Sequence, residues 1–175
     1  MATEQSVATR ERKRWKIDCR EAKECVSSEQ QTENKLTVPF RGHITGGLHP
    51  GRKLIIVGVV DHHPDRFYVA LTCGQGTRGE PPHDVALEIC VRFGGERQVL
   101  RRACVGGTWT DPDSAIPFFP FIKGQPFKME VECQSGRFRV MVDAQKLFDF
   151  QHRVAPLHGV DTLWIKGSLT INKLG

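Results

Sequence analysis

Along most of this chain apolar side chains recur at every second position. Val85, Leu87, Ile89, Val91 and Phe93 alternate with Ala86, Glu88, Cys90 and Arg92. Alternation over nine residues predicts a strand with one buried face. Phe127, Met129, Val131 and Cys133 repeat the pattern, as do Phe138, Val140 and Val142, and Leu163, Ile165, Leu169 and Ile171 carry it toward the C-terminus. Turn-forming residues separate the runs: His49-Pro50-Gly51, His63-Pro64-Asp65, Gly94-Gly95, Gly106-Gly107 and Ser135-Gly136. No comparable helical period occurs, so the pattern predicts an all-β sandwich or barrel, with polar faces such as the one bearing Glu88, Cys90 and Arg92 turned outward.

Residues 1 to 36 lack this pattern. They are polar and charge-dense, and such a segment buries too little apolar surface to offset its ordering entropy. The expectation is a flexible tail over 1–36, with a short frayed helix between Thr9 and Val26, and one folded domain over 37–175. The net charge of +5 changes little, because the tail holds eight Lys and Arg against seven Asp and Glu, and the rest is spread over many strands. The run from Arg10 to Lys16 is interrupted by Glu11 and reads as solvated. No signal-peptide core or membrane-spanning apolar run is present, and the six cysteines are widely spaced with no CxxC pair. These features predict free thiols, cytoplasmic location with leaderless export open to it, and no membrane insertion.

Several patterns imitate chemistry. Gly74-Gln75-Gly76-Thr77-Arg78-Gly79 is a literal GxGxxG, but it leads into Glu80-Pro81-Pro82 rather than a helix, so no dinucleotide cofactor is expected. His62-His63 beside Asp61 and Asp65 lacks a completing ligand spacing, so no metal is expected. There is no GxSxG, HExxH or P-loop, and Cys90 has Glu88 nearby, which raises a thiol pKa. An enzyme is not expected.

The segment Ile116-Pro117-Phe118-Phe119-Pro120-Phe121, with Gly124-Gln125-Pro126-Phe127 after it, resembles the most recognisable stretch of the galectins, a family of β-galactoside-binding lectins. The likeness spans nearly all of residues 37–175: Val38-Pro39-Phe40, Gly46-Gly47-Leu48, Ile56-Val57-Gly58, Arg66-Phe67, Asp84-Val85-Ala86-Leu87, Phe148-Asp149-Phe150 and Leu163-Trp164-Ile165-Lys166-Gly167. It is nearest to the divergent galectin-related members, and it implies a galectin-type jelly-roll β-sandwich of two antiparallel sheets.

The resemblance also implies a sugar groove, and most of its groups are replaced. Where the family places His, Asn and Arg on one strand, this chain has Glu88, Cys90 and Arg92; where a second Asn precedes the Trp by seven residues it has Arg102 before Trp109. The Glu and Arg expected three and five residues after the Trp fall on Pro112 and Ser114, or, with one residue inserted, on Asp113 and Ala115. Arg92 and Trp109 are thus retained, while Glu88, Cys90, Arg102, Pro112, Asp113 and Ser114 are substituted. Sugar hydroxyls surrender water on binding and regain that energy only through aligned hydrogen bonds, so lactose binding is expected to be lost. Glu88, Arg92 and Arg102 are expected to form an ion-pair cluster in the former groove. The expected role is that of a monomeric module acting through a protein partner or a non-standard glycan. An active lectin of altered specificity is the alternative. A nucleic-acid partner is disfavoured, because no aromatic platform of the kind single-strand binders use is evident.

Overall fold

The alternation predicted from the sequence organises a computed structural model, which describes residues 17–18, 36–74 and 84–175. Twelve strands lie among the described residues: β1 (Ile17–Asp18), β2 (Phe40–Ile44), β3 (Lys53–Val60), β4 (Arg66–Thr72), β5 (Val85–Arg92), β6 (Gln98–Val105), β7 (Thr108–Trp109), β8 (Pro126–Cys133), β9 (Arg137–Val142), β10 (Gln145–Gln151), β11 (Thr162–Gly167) and β12 (Leu169–Leu174). Among the described residues one 3-10 turn, Leu157–Gly159, interrupts them. The strands form two antiparallel sheets, ordered β1-β2-β11-β4-β5-β6-β7 and β10-β9-β8-β3-β12. The result is an all-β sandwich, as expected.

Burial follows the period of two. In β3 and β9 every second residue is buried, and Leu54, Ile56, Phe138, Val140, Leu87, Ile89 and Val91 all face the space between the sheets. Each such side chain contributes about 1.5–3 kcal/mol when removed from water. Leu163-Ile165 and Leu169-Ile171 look like one alternating run but belong to different sheets. The chain crosses at Gly167, whose φ is +113° and where a Cβ would collide with the Arg66 carbonyl and the Phe67 backbone. Only glycine meets both conditions.

The Ile116 to Phe121 segment forms no strand. It supplies aromatic filler: Phe121, 1 % exposed, meets Phe67 edge-on at 5.4 Å and Phe127 at 5.3 Å, and Phe119 meets Phe93 at 5.6 Å. The sequence pattern placed Phe93 in a strand; it lies just past β5 and joins this cluster instead. The most recognisable segment therefore serves the core.

The helix expected over Thr9–Val26 falls mostly outside the described residues. At Ile17–Asp18 it is corrected to a strand, paired with Ile44 and His43 on the edge of β2. Leu36 is tied to the fold by donating its N–H to the Ile171 carbonyl at 2.8 Å. The glycine-rich motif from Gly74 lies outside the described residues beyond its first member.

One inward position breaks the apolar rule. Arg101 shares its face of β6 with Val99 and Ala103, is 6 % exposed, and lays its guanidinium 4.3 Å from the Phe148 ring centroid on the opposite sheet. Its Nε has no hydrogen-bond partner, and Nη1 donates only a long bond to the Val99 carbonyl.

Candidate functional site

Residues opposite one another in an antiparallel pair point to the same side of the sheet, with Cβ atoms about 4.5–5.5 Å apart. On the outer face of the seven-stranded sheet, β4, β5 and β6 align Ala70, Glu88 and Arg102 in one row, Tyr68, Cys90 and Leu100 in the next, and Arg66, Arg92 and Gln98 in the third. Glu88, Cys90, Arg102 and Arg92, the positions expected to line a groove, thus share one face.

Glu88 and Arg102 face each other directly, and Arg102 Nε donates to Glu88 Oε1 at 2.8 Å. On the other side of Arg102, Trp109 of β7 pairs with Cys104, and the Arg102 guanidinium sits 3.8 Å from the indole centroid. Carboxylate, guanidinium and indole form one stack. The guanidinium covers one face of the indole.

Arg92 is not part of this stack. It lies four residues along β5 from Glu88, about 13 Å at the rise of an extended strand, opposite Arg66 and Gln98. The expected cluster of three is therefore a pair, Glu88 with Arg102. Among the described residues Arg92 makes no ion pair.

Cys90 lies between the two rows, buried beside Tyr68. Burial pushes its thiol pKa up, a shift opposed by a hydrogen bond with Tyr68 and by Arg66 and Arg92 and reinforced by Glu88. A thiol so held is a poor nucleophile. Pro112, Asp113 and Ser114 are all exposed past β7. Asp113 and Arg101 exchange backbone hydrogen bonds of 3.0 and 2.9 Å, and no side-chain hydrogen bond joins these three residues to the stack. Burial pushes the Arg101 guanidinium pKa down, and Asp113 opposes it.

The same face holds residues that were not among the expected site positions. β11 and β2 extend the rows with Lys166 opposite Tyr68, Trp164 opposite Ala70, and Arg41 opposite Trp164. Lys166 Nζ stands 5.0 Å from the Tyr68 ring centroid, and the Arg41 guanidinium 5.2 Å from that of Trp164. An aromatic platform is therefore present, contrary to expectation, but cations cover its rings. The strand period gave each of these residues its face. It could not say which strands are neighbours, so their convergence was hidden.

Among the described residues no group of three or more His, Cys, Asp or Glu could hold a metal, and His62 packs on Gly124, where a Cβ would lie 2.9 Å from Nδ1.

Comparison with known proteins agrees with this architecture. The galactoside-binding lectin family profile matches residues 39–175. Human galectin-4 is 36 % identical over 135 residues, covering 77 % of this chain and 40 % of the relative, and rat galectin-4 is 35 % identical over 135 residues, covering 77 % and 39 %. The chain thus spans about two-fifths of the length of these relatives. Among solved structures, a human galectin-16 variant superimposes with a TM-score of 0.69 at 21 % identity, over 81 % of this chain and 96 % of that one. Sheep galectin-11 in complex with glycerol gives 0.68 at 19 %, over 80 % and 98 %.

Proposed function

Since the chain belongs to the galactoside-binding lectin family, the galectins, we propose that it is a divergent, galectin-related member. On this reading it is a lectin-fold binding module, not an enzyme, that does not take lactose or ordinary β-galactosides and acts through protein contacts or another ligand. The observation that carries this reading is the Glu88–Arg102–Trp109 stack, in which the chain's own guanidinium covers the indole.

The magnitudes favour loss. A sugar stacking on Trp109 would first displace Arg102, forfeiting a cation–π contact of about 0.5–2 kcal/mol and a half-exposed ion pair of about 0.2–1 kcal/mol. It would then find an acceptor-only carboxylate at Glu88 and a buried thiol at Cys90, where the family's donors and amide would each supply about 1 kcal/mol. A millimolar sugar complex is held by only about 4 kcal/mol, so these terms together remove it. The unpaired state of the described cysteines, Cys73, Cys90, Cys104 and Cys133, supports action in a reducing compartment such as the cytoplasm.

Lactose titrated into the isotopically labelled chain, followed by amide and Trp109 indole NMR signals, tests the reading. No shift at high millimolar lactose is expected. Shifts confined to Glu88, Arg92, Arg102 and Trp109 would establish a working galactoside lectin and sink the proposal. In the double variant Glu88→His with Arg102→Asn the indole is uncovered and a donor returns, so weak millimolar binding is expected.

A further inference from the structure

A cleft of about 370 Å³ opens at one edge of the five-stranded sheet, between the end of β3, the loop after it and the edge strand β12. Its volume lies within the range of about 300–1,000 Å³ usual for small-ligand sites. Val59 and Val60 give it an apolar wall, and Asp61, His62, Thr170 and Asn172 supply its polar groups. Glu88, Arg102 and Trp109 belong to the other sheet.

Two local features of the chain build the cleft. β3 reads Lys53-Leu54-Ile55-Ile56-Val57-Gly58-Val59-Val60, so its half-exposed positions are apolar as well as its buried ones, and Val59 stands opposite Thr170 with a bare hydrocarbon surface. The pairing of β12 with β3 slips after Ile171: Ile171 opposes Gly58 and Lys173 opposes Val57, leaving Asn172 as the extra residue. A bulge of this kind re-aims one side chain. The Asn172 side-chain oxygen is buried and has no hydrogen-bond partner. A buried acceptor left without a donor keeps the cost of its lost hydration, and a ligand N–H would offset it.

The loop side is fixed by its backbone. Asp61 donates its N–H to the Ser168 carbonyl at 3.1 Å and accepts from the Gly124 N–H at 3.0 Å, and His62 is seated against Gly124. The Asp61 carboxylate is exposed and has no ion-pair partner among the described residues. We propose that this cleft binds an alkylammonium or alkylguanidinium group, with its N–H donors taken by Asp61 and the Asn172 oxygen and its stem laid against Val59. The inference is independent of the preceding reading and stands whether or not lactose binds.

The donor set selects this chemistry. An anion would meet the charge of Asp61 and receive no proton from the Asn172 oxygen. A wholly apolar ligand would leave that oxygen unpaired. A bare metal ion would need more ligands than converge here, since among the described residues no group of three or more His, Cys, Asp or Glu could hold one. A cation carrying several N–H donors on a hydrocarbon stem meets both the acceptors and the valine wall. A lysine or arginine side chain of a partner and a free small amine share this chemistry.

The test uses the full, isotopically labelled chain at constant ionic strength and follows the Asn172 side-chain amide and the backbone amides of Asp61, His62 and Thr170. The probe is n-butylammonium, with n-butanol and butyrate as neutral and anionic counterparts. Saturable shifts in the millimolar range are expected for n-butylammonium alone. Asp61→Asn, at an exposed position, should weaken binding about two- to fivefold, and Asn172→Leu about tenfold or more, with thermal unfolding confirming that both variants fold. Glu96→Gln, in the exposed turn after β5, should change nothing. Equal shifts with n-butanol or butyrate, no saturable shift, equal weakening by Glu96→Gln, or full binding by the folded Asp61→Asn and Asn172→Leu variants would overturn the proposal. A capped Gly-Lys-Gly peptide and its ε-acetylated form separate the two sources. Binding of the peptide at least as tight as n-butylammonium, and lost on acetylation, supports the cation site and assigns it to a partner's side chain; exclusion of the peptide with n-butylammonium still bound supports it and assigns it to a free amine.

Discussion

Arg101 and Arg102 are adjacent in sequence and opposite in environment. Arg102 turns outward, where a carboxylate and an indole receive it; Arg101 turns inward, where only Phe148 and one long hydrogen bond do. A buried cation without an ion-pair partner costs more than an apolar side chain of similar volume. Arg101→Met is accordingly expected to leave stability within about 1 kcal/mol of the unaltered protein or raise it, whereas Arg101→Ala, which also removes packing, should cost about 2–3 kcal/mol in urea unfolding. A larger loss for Met than for Ala would show that the charge itself is needed. That Glu88 and Arg102 lie on adjacent outward positions was legible from the strand period. The stack of Arg102 on Trp109 was not, because seven residues and a turn separate them in sequence.

Strands and their crossings impose separate constraints. At Gly167 both the positive φ and the approach of the β4 backbone exclude a Cβ, whereas Gly51, with φ +98°, has nothing within 4 Å of that position. Gly167→Ala should therefore lose about 2–4 kcal/mol and Gly51→Ala only about 1 kcal/mol, read from thermal unfolding. On the outer face of the five-stranded sheet, Asp149 of β10 meets Lys146 at 2.9 Å, Arg139 at 3.0 Å and Arg137 at 3.8 Å. Burial pushes the Asp149 carboxyl pKa up, but the hydrogen bonds and charges of Arg139 and Lys146 outweigh it and hold it below the ordinary value. A depressed carboxylate pKa contributes stability above its unfolded value and loses it as pH falls through the folded one. Asp149→Asn should lower Tm by about 2–4 °C at neutral pH, with the gap narrowing below about pH 4 and closing in stronger acid. A gap that persisted there would assign the effect to packing.

For the whole molecule, the two sheets share one apolar core drawn from residues between Phe40 and Ile171. The described N-terminal pairing adds only Ile17 and Asp18 at the edge of β2. A chain beginning at Leu36 is expected to unfold in one cooperative transition with Tm within about 4 °C of the full chain. A larger drop would show that residues 1–35 complete the core. The sequence by itself determined most of the strands, their buried faces and the membership of a galectin-like sandwich, because a period of two and short-range spacing are written locally along the chain. Tertiary structure alone decided that Arg102 covers Trp109, that Arg92 stands apart from Glu88 and opposite Arg66, that Arg101 faces the core, and that Lys166, Trp164 and Arg41 extend the same cationic face. Those are facts of strand order and register, which bring together residues as far apart in sequence as Arg41 and Trp164, and no local pattern encodes them.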